Sequence, residues 1–125
     1  MPGFAGTGQA ALLRGNQQVF LWQNESGITG RLSLAFELAR VNRSFYPWGL
    51  SFEVVFSGAP GVFEIDIMGA NNDIARNYIS LGTITAVNTA NVGRWDMDSH
   101  FWPKYVAGFV KSLGSAVNIT LQITR

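Results

Sequence analysis

Apolar and polar positions alternate most clearly between Leu50 and Met68. Successive side chains of a strand point to opposite faces, so a period of two indicates a strand with one apolar face. The runs 50–56 and 63–68 both show this period, and the sequence Gly58-Ala59-Pro60-Gly61 between them is typical of a tight turn. The pattern predicts a β-hairpin whose apolar face needs further strands to cover it.

Further strands are predicted on both sides of this hairpin. Apolar residues alternate between Leu32 and Leu38, although the composition of 29–41 locally favours a helix. Alternation over seven residues, with a small or polar residue at each intervening position, favours a strand here. The remaining predicted strands are 17–22, 78–87, 94–98, 104–113 and 117–124.

The spacing of these segments indicates the fold class. Seven or eight strands with turns about every 8–12 residues, and no βαβ spacing, predict an all-β protein, an antiparallel jelly-roll-like β-sandwich. Four glycines occur in residues 1–15, which suits a flexible arm better than a packed element. The predicted organisation is a Gly-rich N-terminal arm over 1–15 and a single β-sandwich domain over 16–125.

Composition narrows the classes of function. Apolar residues make up 47% of the chain and charged residues 14%, so the surface consists largely of neutral polar side chains. A net charge of +1 gives little repulsion between copies, and the scattered Lys and Arg residues argue against nucleic acid as a partner. No apolar run is long enough for a membrane helix, and the N-terminal residues lack the pattern of a signal peptide.

Candidate chemistry is sparse. The chain has no Cys and a single histidine, His100, which is interpreted as a loop residue. Asp96 and Asp98 share one face of an extended segment and invite a cation site, but a solvated rim or pairing with Arg94 explains them better. No phosphate-binding or dinucleotide-binding pattern follows a strand. We therefore expect no catalytic residue, no metal and no cofactor.

Four Trp and three Tyr residues leave two interpretations open. Exposed aromatic rings near loops, such as Trp48, Trp95 and Trp102, suit a glycan-binding module. Large aromatic residues also fill the ends of a small sandwich or anchor a subunit interface, where they are enriched. The second interpretation is favoured.

Three stretches carry a resemblance to a known class of protein: 52–67, Arg94-Trp95-Asp96 and the terminal 119–125. Over roughly residues 50–125 the pattern of strands and turns resembles small structural proteins of tailed bacteriophages, in particular the β-sandwich cement (decoration) proteins outside the capsid shell. Phage tail and fibre proteins reuse similar sandwiches, so a location in the tail or fibre stays open as an alternative to the capsid.

The resemblance implies a non-enzymatic role on the outer capsid surface of a virion, where the protein bridges and stabilises neighbouring major capsid subunits. The implied partners are the major capsid protein and further copies of the chain, as a homo-dimer or homo-trimer, with neither nucleic acid nor membrane. The alternative is a tail, fibre or glycan-binding module. Chain position suggests these interface residues: Phe4, Leu12, Leu13, Phe45, Tyr46, Trp48, Trp95, Phe101 and Trp102.

Overall fold

The alternating segments of the sequence form the strands of the protein. The computed structural model describes residues 4–5, 19–38, 50–88, 90–97 and 103–124. The strands are β1 Phe4–Ala5, β2 Val19–Glu25, β3 Leu32–Ser33, β4 Phe36–Glu37, β5 Leu50–Phe56, β6 Phe63–Ala70, β7 Ile79–Ile84, β8 Val92–Met97, β9 Tyr105–Leu113 and β10 Ile119–Thr124. A 3-10 turn spans Ala75–Asn77.

These strands form two sheets. The first has four strands in the order β2-β10-β5-β8, and the second has the order β1-β3-β9-β6-β7, with β4 also paired to β9. The named strand pairs are antiparallel except for β1 and β3, which are parallel. Apolar side chains of the two sheets meet between them, so the all-β sandwich predicted from the sequence is confirmed.

The order of pairing is that of a jelly roll. Strand β2 pairs with β10, β3 and β4 pair with β9, β5 pairs with β8, and β6 pairs with β7. Each pair therefore joins an earlier strand to a later one and is nested inside the previous pair. With β3 and β4 as one interrupted strand, β2 to β10 fill the eight positions of this fold.

The core lies between the sheets and takes its largest side chains from both. Trp22, Phe52 and Leu121 come from the four-stranded sheet, while Phe36 and Ile65 come from the other, and all five are fully buried. Each such side chain contributes on the order of 1.5–3 kcal/mol through removal of apolar surface from water.

The predicted hairpin between 50 and 68 is wrong in its pairing, although both strands exist. Strand β5 pairs with β8 and β10, whereas β6 pairs with β7 and β9, so residues 57–62 carry the chain from one sheet to the other. The rings of Phe56 and Phe63 meet edge to face at 4.7 Å at this corner. Alternation identifies the apolar face of a strand but not its neighbour, and two apolar faces are also buried by facing each other.

The predicted strand over 29–41 is wrong in its continuity. Between the pairs Leu32–Phe109 and Phe36–Val106, this segment advances four residues while β9 advances three. The extra residue is a bulge, and it reverses the face that later side chains occupy. Leu32 consequently lies on the outer side of the sheet, and Phe36 lies in the core. Residues 39–41 lie outside the described residues.

The predicted N-terminal arm is described only at two residues. The backbone of Phe4–Ala5 runs beside Leu32–Ser33 and forms a short edge strand of the six-stranded sheet. The rest of 1–15 lies outside the described residues. The flexibility of the arm and its boundary with the domain therefore stay predictions.

Ser33 stabilises the bulge, which gives a first testable prediction. Its buried hydroxyl accepts a hydrogen bond from the backbone N–H of Gly108 at 2.8 Å and donates to the carbonyl of Leu34 at 2.9 Å. Ser33→Ala leaves a buried N–H without its acceptor, which costs about 1–2 kcal/mol of unfolding free energy in urea. Exposed Ser26→Ala is the control and should match the wild type. Equal stability of the two variants would show that this hydroxyl contributes nothing.

Candidate functional site

The outer side of the six-stranded sheet carries a second apolar cluster. In β9 the residues Val106 and Val110 face the core, so Ala107 and Phe109 face outward by strand alternation. We call the cluster the outer apolar patch, and it consists of Leu32, Ala35, Met68, Ala70, Ala75, Tyr78, Tyr105, Ala107 and Phe109. A sheet in a sandwich ordinarily exposes a polar outer face, so an apolar one indicates a surface that contacts something else.

Part of this patch remains accessible. Met68, Tyr105 and Phe109 are half-buried, while Leu32 and Ala107 beneath and beside them are buried. Backbone pairing places Met68 opposite Ala107 on neighbouring central strands. The three accessible side chains thus lie on β6 and β9, the central pair of the sheet.

Tyr78 closes the patch on the β7 side. Its hydroxyl donates a hydrogen bond to Oδ1 of Asp73 at 2.8 Å, and its side chain is buried. Burial raises the pKa of the Tyr78 hydroxyl well above its usual value, and the hydrogen bond to Asp73 and its charge act in the same direction. The phenol therefore stays a neutral donor and fixes the segment before β7 against the sheet.

Charged side chains border the patch along the same two strands. Nζ of Lys111 lies 3.5 Å from Oε2 of Glu64, and the hydroxyl of Thr83 donates to Oδ1 of Asp66 at 2.8 Å. The outer face is therefore apolar toward one end of the sandwich and polar toward the other. Apolar side chains flanked by polar and charged ones are common in protein–protein contact surfaces.

The outer side of the four-stranded sheet is polar by comparison. Nε2 of Gln122 donates to Oε1 of Glu53 at 2.7 Å. At the sheet edge, Ser51 donates to Oδ1 of Asp96 at 2.7 Å, and Nε of Arg94 donates to the same oxygen at 2.8 Å. The hydrogen bond from Ser51, followed by Arg94, holds the pKa of Asp96 below its usual value, against the opposing effect of partial burial. This face suits solvent. Of the solvated rim or Arg94 pairing that the sequence favoured for Asp96 and Asp98, the structure shows the pairing for Asp96, and Asp98 lies outside the described residues.

An open pocket with a volume of about 310 Å³ lies at one end of the sandwich. It is lined by Ser26, Gly27 and Thr29 after β2 and by the connection 113–118 between β9 and β10. None of these residues is aromatic. The pocket therefore lacks the stacking platform that the glycan-binding interpretation requires.

Trp95 is the proposed interface residue whose side chain the structure describes. It is half-buried on β8, its ring lies 5.7 Å from that of Phe52, and a methyl group added at Gly82 would overlap its indole. The indole therefore fills the gap between β8 and β7, the edge strands of the two sheets, while part of it remains accessible. Its role at an interface stays a prediction.

The other proposed interface side chains lie outside the described residues. They are Phe4, Leu12, Leu13, Phe45, Tyr46, Trp48, Phe101 and Trp102. The described strand ends that bracket 39–49 and 98–102 are neighbours, because Leu50 pairs with Met97 and the N–H of Leu38 donates to the carbonyl of Lys104 at 2.7 Å.

Sequence reasoning missed the accessible residues Met68, Tyr105 and Phe109. A signal for them was present, because both faces of 105–110 are apolar: Tyr105, Ala107 and Phe109 alternate with Val106 and Val110. A strand that is apolar on both faces is covered on both, either within the chain or by a partner.

No family model, no curated protein and no solved structure matches the chain. Within the described ranges, no three His, Cys, Asp or Glu side chains come together as metal ligands. The part of the chain that the structure describes also contains no helix with the length and apolar character to span a membrane.

Proposed function

We propose that the chain is a non-enzymatic virion structural protein, a capsid cement (decoration) protein on the outer surface of the capsid. In this role it bridges neighbouring major capsid subunits and associates with copies of itself as a dimer or trimer. The observation that carries the proposal is the outer apolar patch, since the outer face of a sandwich sheet is ordinarily polar.

The chemistry of the patch supports a protein partner. Met68, Tyr105 and Phe109 are of the residue types enriched at the centres of protein interfaces, and Glu64 and Lys111 supply a polar border. Each 100 Å² of apolar surface that a partner covers contributes about 2.5 kcal/mol before the costs of association.

The low charge of the chain supports the same role. Proteins that occupy neighbouring sites on a shell pack closely, and a net charge of +1 on 125 residues gives them little mutual repulsion. The jelly-roll fold is compatible with this use, since capsid domains adopt it, but lectins adopt it too, so the fold alone does not decide the function.

Two features of the described residues give no support to glycan binding, whose other candidate residues, Trp48 and Trp102, lie outside those residues. The described pocket is lined without aromatic side chains, and Trp95 packs partly against Gly82 and Phe52. A tail or fibre protein would use the same kind of patch, so the number of copies per particle is what distinguishes that alternative from the cement role.

Binding to shells tests the proposal. We expect the purified chain to co-sediment with shells of the major capsid protein from its source and to saturate at a simple ratio to the shell subunit. Phe109→Lys places a charge in the patch and should weaken this binding about tenfold or more. The matched control is Val55→Lys, a half-buried apolar residue on a central strand of the other sheet. Circular dichroism establishes that both variants are folded.

Two outcomes would contradict the proposal. If the wild type fails to bind the shells, the cement role is wrong. If Phe109→Lys and Val55→Lys bind as the wild type does, the outer apolar patch is not the contact surface.

A further inference from the structure

The edge strand β7 differs from the other sheet edges in having little that prevents strand pairing. It runs Ile79-Ser80-Leu81-Gly82-Thr83-Ile84, with no charged residue and no proline. It pairs with β6 on one side, and no strand among the described residues pairs with its outer side. An unpaired neutral edge of this length is a template for the addition of another strand.

The remaining described edges are protected. Strand β2 contains Asn24 with a φ of 52° and shows two register shifts against β10, whereas β7 shows one against β6, so the β2 edge is the more irregular. Strand β8 carries exposed Arg94 and Asp96. On the opposite side of the six-stranded sheet, β1 covers β3 and is itself an edge strand of only two residues, which is too short to pair with much of another strand. Natural proteins use such bulges, charges and covering segments to prevent pairing at an edge.

Exposed apolar side chains concentrate around β7. The large apolar residues that are exposed among the described residues are Leu34, Val62, Ile74, Ile79 and Val87. Three of them, Ile74, Ile79 and Val87, lie within or close to β7 in the chain, and Ile79 is 62% exposed. One register shift interrupts the pairing of β7 with β6, where Leu81 is the extra residue and packs against the core. Regular pairing continues at Ile79–Ser80 and at Gly82–Ile84 on either side of it.

We propose that β7 pairs with β7 of a second copy, antiparallel across a two-fold axis, and joins the two six-stranded sheets into one. The second copy is the occupant that these features favour. A strand that meets its own image brings identical side chains together, so a neutral strand avoids the repulsion that a charged strand would meet. Backbone hydrogen bonds supply the affinity, and Ile79 supplies apolar contact.

The symmetry of this pairing bears on how the chain contacts the shell, and this part of the inference rests on the proposed function. A two-fold axis that relates antiparallel strands of one sheet is perpendicular to the sheet, so the outer faces of both copies point to the same side. The two outer apolar patches then lie on one side of the dimer. Such a dimer contacts two neighbouring shell subunits at once, and the two contacts reinforce each other through a high effective concentration.

Sedimentation velocity of the purified chain tests the pairing. We expect the wild type to be dimeric at micromolar concentrations, and Ile79→Lys to raise the dissociation constant at least tenfold, since it replaces apolar contact with like charges. The matched control is Gln23→Lys, which adds the same charge at an exposed position on the irregular β2 edge and should leave the dimer intact. Thr83→Lys, beside Asp66, serves as a second β7 variant if Ile79→Lys is unstable.

Disulfide cross-linking of single-cysteine variants identifies the paired segment, because the chain has no native Cys. Cysteines placed one at a time at 79, 80, 82 and 83 should form intermolecular disulfides, most strongly at the position nearest the axis, while Gln23→Cys should not. A monomeric wild type would overturn the pairing. A dimer that neither Ile79→Lys nor Thr83→Lys weakens, and that forms cross-links at Gln23→Cys, would also overturn it. A monomer that still saturates shells would overturn the pairing alone and leave the cement role standing.

Discussion

Trp22→Ala is expected to lower the free energy of unfolding by about 3–5 kcal/mol, the largest effect of a single truncation that we predict. Trp22 is 0% exposed, it is among the largest fully buried side chains, and it lies opposite Leu121 in the pairing of β2 with β10. Removing the indole takes away its apolar burial and leaves a cavity between the sheets that their backbones close only in part. A loss of this size is a large share of the 5–15 kcal/mol typical of a single domain.

Urea unfolding followed by circular dichroism measures this loss. Trp22→Phe should cost much less, because it retains most of the buried volume. Val62→Ala is the control on the surface, since Val62 is 86% exposed, and it should stay within about 0.5 kcal/mol of the wild type. A Trp22→Ala protein within 1 kcal/mol of the wild type would contradict the buried position of β2.

Gly108→Ala is expected to destabilise the protein by about 3 kcal/mol, near the upper end for an added methyl group in a packed core. Gly108 lies on β9 with its missing side chain directed at the other sheet. A Cβ at this position would overlap Cδ2 of Leu121 and lie 2.9 Å from Cζ3 of Trp22, so it has no room unless the sheets move apart. The close approach of β9 to β2 and β10 thus requires glycine.

A second substitution tests whether this steric conflict causes the loss of stability. Leu121→Val removes the carbon atom that the new methyl group would meet, so the double variant should be more stable than the sum of the two single losses indicates. Gly58→Ala is the control, because a Cβ there meets Cγ1 of Val117 at an ordinary 3.5 Å. Strict additivity of Gly108→Ala and Leu121→Val would show that the predicted steric conflict is not the origin of the loss.

The sequence predicts the strands well because alternation reports burial directly. The segments 104–113 and 117–124 match β9 and β10 closely, and Leu50–Phe56 is a strand over its whole predicted length. The partners of these strands are less accessible to sequence reasoning. The turn after Phe56 could close a hairpin or cross to the other sheet, and the difference depends on contacts with β9 and β10, which lie far away in the chain.

The outer apolar patch was not predicted from the sequence. Aromatic residues in connections suggested an interface, whereas the described patch is built from Met68, Tyr105 and Phe109 on central strands. Its location depends on the bulge after Leu32, which brings that residue to the outer side, and alternation alone predicts the opposite. The neutral β7 edge is visible in the sequence, but its position at the end of a sheet is not.

The copy number of this chain in purified particles from its source tests the central claim most directly. Quantitative mass spectrometry against the major capsid protein gives the ratio. The cement role predicts one copy, or a simple fraction of one, per shell subunit. A few copies per particle would contradict it in favour of the tail or fibre, and absence from the particles would contradict the virion role altogether.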